Sequence, residues 1–166
     1  MSNIVLIGFM ASGKTTVGNR LASVSGYKLV DTDEEIVKKE GRSINDIFAT
    51  DGEPYFRKLE TSMIEEMADK LDNCIISTGG GLAITPGNDE KLRKLGKVVY
   101  LKVTPETVLK RISGDSSRPL LAGDAKSKTL NLLAYRQPIY EQCADIAIDT
   151  DDKSVDMIVD MIMRNI

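Results

Sequence analysis

The octet Gly8-Phe9-Met10-Ala11-Ser12-Gly13-Lys14-Thr15 follows directly on the apolar run Ile4-Val5-Leu6-Ile7. No other stretch constrains the fold of this chain as strongly. It matches the pattern G-x-x-x-x-G-K-[ST], in which glycines let the backbone turn tightly so that successive N–H groups point inward at phosphate oxygens. Lys14 supplies a mobile positive charge that reaches the β- and γ-phosphates, and the Thr15 hydroxyl is placed to ligate Mg²⁺. A helix expected from Lys14 to Ser25 would add the favourable field of its N-terminus. Gly8, Ala11, Ser12, Gly13, Lys14, Thr15 and Thr16 are therefore the expected nucleotide contacts. A buried strand, a glycine loop and an amphipathic helix in this order predict a bound nucleoside triphosphate, leaving open where the phosphoryl group goes.

Composition narrows the partners. The chain has 166 residues, 42% of them hydrophobic and 28% charged, with a net charge of −3. That is the size and balance of one soluble domain, expected to run over residues 1–166. The acidic balance argues against a nucleic-acid partner, and no apolar run approaches a membrane span. No targeting segment precedes the first strand, so a cytoplasmic location is expected. The two cysteines, Cys74 and Cys143, lack metal-like spacing and there is no histidine. Buried, reduced thiols are expected, and a zinc site is not. Without histidine, any general base must be a carboxylate, a lysine or another group.

Short apolar runs alternate with longer amphipathic segments along the whole chain. Asn3–Ile7, Lys28–Val30, Cys74–Ser77, Val98–Lys102 and Asp145–Ile148 read as strands, near-continuously apolar and so buried on both faces of a parallel sheet. Helical patterns cover Lys14–Ser25, Asp33–Glu40, Ile44–Ala49, Glu53–Leu71, Pro86–Leu95, Pro105–Ile112, Lys126–Gln142 and Ser154–Arg164. In the fourth of these, Phe56, Leu59, Met63 and Met67 recur at helical spacing as the expected buried stripe. The alternation predicts a three-layer α/β/α domain with right-handed crossovers.

Several residues could carry chemistry. Asp31-Thr32-Asp33 ends the second strand, and ligands of parallel α/β sheets bind at the carboxyl ends of strands. One carboxylate could hold Mg²⁺ while the other accepts a proton from a substrate hydroxyl; the competing use is helix capping by Thr32 or Asp33. Thr78-Gly79-Gly80-Gly81 follows the third strand, and three glycines suggest close approach of the backbone to a ligand. Arg57, with Glu60 three residues on to hold its guanidinium, and Arg136, near a helix end, are candidates to grip a carboxylate or a phosphoryl group. The segment 113–124, glycine- and serine-rich around Arg118-Pro119-Leu120-Leu121, reads as a mobile lid closing over nucleotide.

Taken together these residues resemble the shikimate kinase family. The resemblance rests on Gly8–Thr15, Asp31-Thr32-Asp33, Gly41-Arg42-Ser43-Ile44, Phe56-Arg57-Lys58-Leu59-Glu60, Gly79-Gly80-Gly81, Arg118-Pro119-Leu120-Leu121 and Arg136-Gln137-Pro138-Ile139-Tyr140. These occur in the family's order and spacing from Ile4 to about Ile148. The resemblance implies the P-loop nucleoside monophosphate kinase-like fold with strand order 2-3-1-4-5. It also implies ATP-dependent phosphorylation of the shikimate 3-hydroxyl, in the chorismate and aromatic amino acid pathway, with Mg²⁺. A monomer is expected. Asp33 would bind the ring hydroxyls and orient or deprotonate the attacking one. Arg57 and Arg136 would clamp the substrate carboxylate, and Gly79, Gly80 and Gly81 would contact the ring, within a shikimate-binding region of about residues 32–62. Thr15 would ligate the metal directly and Asp31 through water. Lys14 and Arg118 would neutralise the transferring phosphoryl group, and Arg111 would stack on adenine, with the adenine loop near Asp149–Asp152. Ala11 departs from the glycine frequent in the family, but its small size should keep the loop's shape.

Two other readings are weighed against this one. A kinase of the same fold acting on gluconate or a nucleoside monophosphate would not explain the Asp-Thr-Asp and triple-glycine set. A non-catalytic nucleotide-binding module would be favoured by loss of Lys14, Asp33 or Arg136, and all three are present.

Overall fold

Strand β1 (Asn3–Ile7) is buried along its entire length, and the architecture follows from that. Val5 and Ile7 join one hydrophobic cluster, while Ile4 and Leu6 join another on the opposite face. A strand buried on both faces needs layers of helices above and below it. The computed structural model describes residues 3–113 and 124–166. In it, β2 (Lys28–Asp31), β3 (Cys74–Ser77), β4 (Gly96–Lys102) and β5 (Ile146–Asp149) complete a five-stranded sheet of order β2-β3-β1-β4-β5. Every pairing is parallel. This is the expected three-layer α/β/α arrangement and strand order.

One face is covered by α1 (Lys14–Ser25) and α8 (Val155–Asn165), through Val17, Leu21, Ile158 and Ile162. The other carries α2 (Thr32–Glu40), α3 (Ile44–Asp51), α4 (Glu53–Lys70), α5 (Asn88–Leu95), α6 (Pro105–Ser113) and α7 (Asp124–Cys143). Their core residues include Ile36, Ile47, Phe56, Ile64, Leu92, Val108, Leu133 and Tyr140. Because all strands run the same way, the loops after β1, β2 and β3 open on one edge, and the site is built there.

Several boundaries differ from the sequence expectation, each for a local reason. The N-cap of α2 is Asp31, not Thr32 or Asp33: its Oδ1 accepts hydrogen bonds from the N–H groups of Asp33 (2.9 Å) and Glu34 (3.2 Å). Helix α5 begins at Asn88 rather than Pro86, because Gly87 takes a left-handed conformation at its N-cap (φ 89°). Helix α7 accommodates Pro138 and continues to Cys143. In α4 the buried stripe is Phe56, Glu60, Met63, Ile64 and Met67. Leu59 packs only partly against the core, and a carboxylate stands in the stripe. Both cysteines are free and buried, as expected. Of the lid expected over residues 113–124, residues 114–123, with Arg118, lie outside those described.

Candidate active site

The loop after β1 is shaped by two left-handed residues, Ala11 (φ 63°) and Gly13 (φ 88°). Gly13 is the N-cap of α1 and makes no side-chain cap, so the first N–H groups of the helix are left for a ligand. Alanine in this region costs about 1–2 kcal/mol relative to right-handed backbone. At Gly8 a Cβ would stand 2.9 Å from both the Leu101 carbonyl and the Ser12 Oγ, so β4 and the loop can approach only a glycine. Lys14 Nζ donates to the Gly8 carbonyl (2.7 Å) and the Phe9 carbonyl (3.0 Å). The ammonium thus folds back over the loop. On the far side, Arg111 of α6 donates through Nη1 to the Ala11 carbonyl. A cavity of about 330 Å³ adjoins this contact, with Gly13, Thr16, Arg111, Thr150 and Lys153 in its wall.

A second cavity of about 380 Å³ unites the loop with the ends of β2 and β3. Lys14, Thr15, Asp31, Asp33, Gly79 and Gly80 all line it. Asp31 and Asp33 do not project as two residues of an extended strand, because the chain turns into α2 at Thr32. Asp31 spends one oxygen on the cap, whereas Asp33 sits in the first helical turn with Oδ1 buried and unpartnered among the described residues. Thr32, fully buried, accepts the Gly79 N–H at its Oγ1 (3.2 Å) and ties the start of α2 to the triple-glycine loop.

That loop explains its own glycines. None of the three needs a positive φ; a charged side chain lies against each, tightly at Gly81 and Gly79 and at ordinary contact distance at Gly80. A Cβ on Gly79 would meet Asp33 Oδ1 at 3.0 Å and Glu60 Oε2 at 3.2 Å. On Gly80 it would touch Arg136 Nη1 at 3.4 Å, and on Gly81 it would overlap Arg57, 2.6 Å from Cζ. The close approach expected from the sequence is to a ligand; what the structure shows is the protein's own functional side chains lying against this backbone. Three successive residues at the end of β3 gather a carboxylate from α2, a guanidinium from α7 and another from α4.

Arg57 is held from both sides along its helix, by Glu60 at 2.7 Å and Glu53 at 3.2 Å. Glu60 is fully buried, and burial pushes its carboxyl up to about 7 despite the opposing pull of Arg57. Its Oε2 has no hydrogen-bond partner among the described residues. Burial, and secondarily the Asp31 charge, raise the Asp33 carboxyl above its ordinary value, while Lys14 and Arg57 pull it down. Arg136 lies over the Phe9 ring, 5.9 Å from its centroid. Tyr140, buried against Tyr100, donates its hydroxyl to the Gly80 carbonyl and braces the loop from behind.

The tertiary structure therefore brings together Gly8, Ala11, Ser12, Gly13, Lys14, Thr15, Thr16 and Arg111 on one side. Asp31, Asp33, Arg57, Gly79, Gly80, Gly81 and Arg136 gather on the other. The sequence assigns Thr32, Tyr140 and Lys153 no part in the site, whereas Thr150, in the cavity wall, falls within the expected adenine loop. Thr32 and Tyr140 lie inside motifs already singled out, so their position was visible though their contacts were not. Nothing in the sequence marked the deep burial of Glu60.

A phosphate loop at a sheet edge, facing a half-buried carboxylate and two arginines, defines a nucleotide-dependent phosphotransferase of the P-loop class. Comparison with known proteins narrows the class. A model of the shikimate kinase family matches residues 10–166. The chain is 46% identical to a shikimate kinase of Persephonella marina over 100% of this chain and 99% of that one. It is 46% identical to one of Caldicellulosiruptor bescii over 91% of this chain and 87% of the other. Shikimate kinase from Acinetobacter baumannii in complex with shikimate superposes with a TM-score of 0.88 at 36% identity, covering 99% of this chain and 92% of that one. The enzyme from Aquifex aeolicus superposes with a TM-score of 0.86 at 37% identity, covering 98% and 94%. The chain belongs to the shikimate kinase family.

Proposed function

We propose that this protein transfers the γ-phosphoryl group of ATP to the 3-hydroxyl of shikimate, giving shikimate 3-phosphate and ADP. The observation that carries the acceptor assignment is the convergence of Asp33, Arg136 and Arg57 on Gly79, Gly80 and Gly81 beside the phosphate loop. Two guanidiniums suit a planar carboxylate, and a half-buried carboxylate with a raised pKa suits a hydroxyl that must lose its proton. Arg57 and Arg136 grip the shikimate carboxylate, which holds the ring over the glycine backbone. Asp33, unpartnered at Oδ1, accepts a hydrogen bond from the attacking hydroxyl and then its proton as the new P–O bond forms. The bond from the γ-phosphorus to the bridging oxygen breaks, and ADP leaves with that electron pair.

Transfer of this kind passes through a loose transition state, so in-line positioning and charge neutralisation do most of the work. Lys14 neutralises the β- and γ-phosphate oxygens, and the N–H groups of Gly13 and the start of α1 hold the rest of the triphosphate. Arg111 stacks on the adenine in the 330 Å³ cavity, whose wall also holds Lys153. Arg118 would add positive charge from the lid. The donor set at the second cavity suits Mg²⁺: the Thr15 hydroxyl directly, and the Asp31 carboxylate through water because its other oxygen is engaged in the cap. When bound, the ion would offset the negative charge of the phosphates. Among the described residues no helix is long and apolar enough to cross a membrane; separately, we take the enzyme as cytoplasmic. We take it as a single kinase domain and a monomer, with the acceptor region over about residues 32–62 and a lid over 113–124.

The test is ADP release with Mg²⁺-ATP, with and without shikimate, and with gluconate or nucleoside monophosphates in its place. A rate that depends on shikimate alone is expected. Equal or greater rates with another acceptor, or none with shikimate, would overturn the assignment.

A further inference from the structure

The segment Gly41-Arg42-Ser43-Ile44 takes no part in the site described above, yet Arg42 is among the most heavily paired side chains of the protein. It sits in the turn between α2 and α3. Its Nη2 reaches Glu40 Oε1 at 2.9 Å and Asp51 Oδ2 at 2.6 Å. The same Glu40 oxygen accepts the Tyr55 hydroxyl at 3.0 Å, and the guanidinium carbon lies 5.6 Å from the centre of the Tyr55 ring. The Arg42 and Glu40 side chains are only 27% and 17% exposed. This is a half-buried network rather than an exposed ion pair, which would count for little.

The four residues come from the end of α2, the turn after it, the end of α3 and the first turn of α4. Helix α2 carries Asp33 at its other end, and α4 carries Arg57 one half-turn beyond Tyr55. Helix α3 is also pinned from a second point, where Phe48 stacks on Phe56 at 4.9 Å between ring centres. The Arg57 guanidinium in turn lies 5.4 Å from the centre of the Phe56 ring. A continuous set of contacts therefore runs from Arg42 through α3 and the start of α4 to the guanidinium.

We infer that the Glu40–Arg42–Asp51–Tyr55 cluster positions the acceptor clamp, holding α3 and the first turn of α4 against the end of α2 so that Arg57 stays in register with Asp33. Arg42 touches neither substrate; it acts through Arg57. The inference rests on shikimate being the acceptor. The nucleotide half of the site hangs on β1, α1 and α6, which make no hydrogen bond or ion pair to this cluster among the described contacts.

The experiment measures kcat, both KM values and Tm for Arg42→Gln, Arg42→Lys, Tyr55→Phe and the double variant Arg42→Gln/Asp51→Asn. Arg42→Gln should raise the shikimate KM about tenfold, a fraction of the hundredfold that roughly 1 Å of misplacement can cost, while the ATP KM stays within about twofold. Tyr55→Phe should move the same constant by less, and Arg42→Lys should recover part of the loss. The double variant should be no worse than Arg42→Gln alone. A fall in Tm with the shikimate KM unchanged would make the cluster a fold staple only and overturn the inference, as would both KM values rising together. If Arg42→Gln fails to fold, Tyr55→Phe decides by the same criteria. Wild-type protein with no shikimate-dependent turnover would instead overturn the acceptor assignment, and this inference with it.

Discussion

The Arg57 guanidinium lies so close over the backbone of Gly81 that a Cβ there would stand 2.6 Å from Arg57 Cζ. The glycine and the arginine belong to different helix–strand units, and each makes sense only with the other. Arginine here presents its fork across the edge of the sheet, and glycine is the residue that leaves room for it.

Gly81→Ala should therefore act as a mutation of Arg57. The φ of Gly81 is not positive, so the added methyl costs little in backbone and much in displacement of the guanidinium. The shikimate KM should rise tenfold or more by the misplacement argument, with the ATP KM nearly constant. Steady-state kinetics on the folded variant checks this; an unchanged shikimate KM would detach Arg57 from the clamp.

Asp33→Asn keeps the shape of the side chain and removes its capacity to accept a proton. Loss of general-base action typically costs about 10²–10⁴ in rate, so kcat should fall into that range. Nucleotide affinity, read by titration calorimetry with ATP, should change little, because the loop contacts are untouched. Retention of full turnover would remove the proposed role.

Arg136→Lys preserves charge near Gly80 but loses the planar fork, and a point charge cannot grip a carboxylate bidentately. The shikimate KM should rise by roughly tenfold while kcat changes less. Equal losses in both constants would place Arg136 on the transition state instead of the bound substrate.

Glu60 predicts a pH signature in stability. Folding raises its carboxyl from an ordinary 4.5 to about 7, chiefly through burial. Between those values the folded chain holds a proton that the unfolded chain has released, so this group's contribution to stability falls as pH rises through the window. Below it the group is protonated in both states, and above about 7 the loss is complete. Glu60→Gln cannot titrate. Measured by denaturant melts from pH 4.5 to 8, the variant should gain on the wild type as pH rises; a constant gap would show that another group governs the window.

Strands, helices and the phosphate loop were legible because their signals are local. The apolar run of β1, the glycines and lysine after it, and the 3.6-residue period of α4 each act over a few residues. Where local rules compete, boundaries moved: Asp31, Thr32 and Asp33 all could cap α2, and the first of them does. Leu59, expected in the buried stripe, packs only partly against the core, and Glu60 stands in the stripe with an arginine one turn away as its partner. Hydrophobicity alone would have put the leucine inside.

The list of functional side chains could thus be read from motifs, but their mutual geometry could not. Asp33 on Gly79, Arg136 on Gly80, Arg57 on Gly81 and Arg111 on the Ala11 carbonyl, 100 positions away, are contacts between distant parts of the chain. They form only when parallel strands bring their carboxyl ends to one edge. The residue types follow from the chemistry of gripping a carboxylate and a triphosphate. Their spacing within an ångström, and the burial that lifts the Glu60 and Asp33 carboxyls, come from packing.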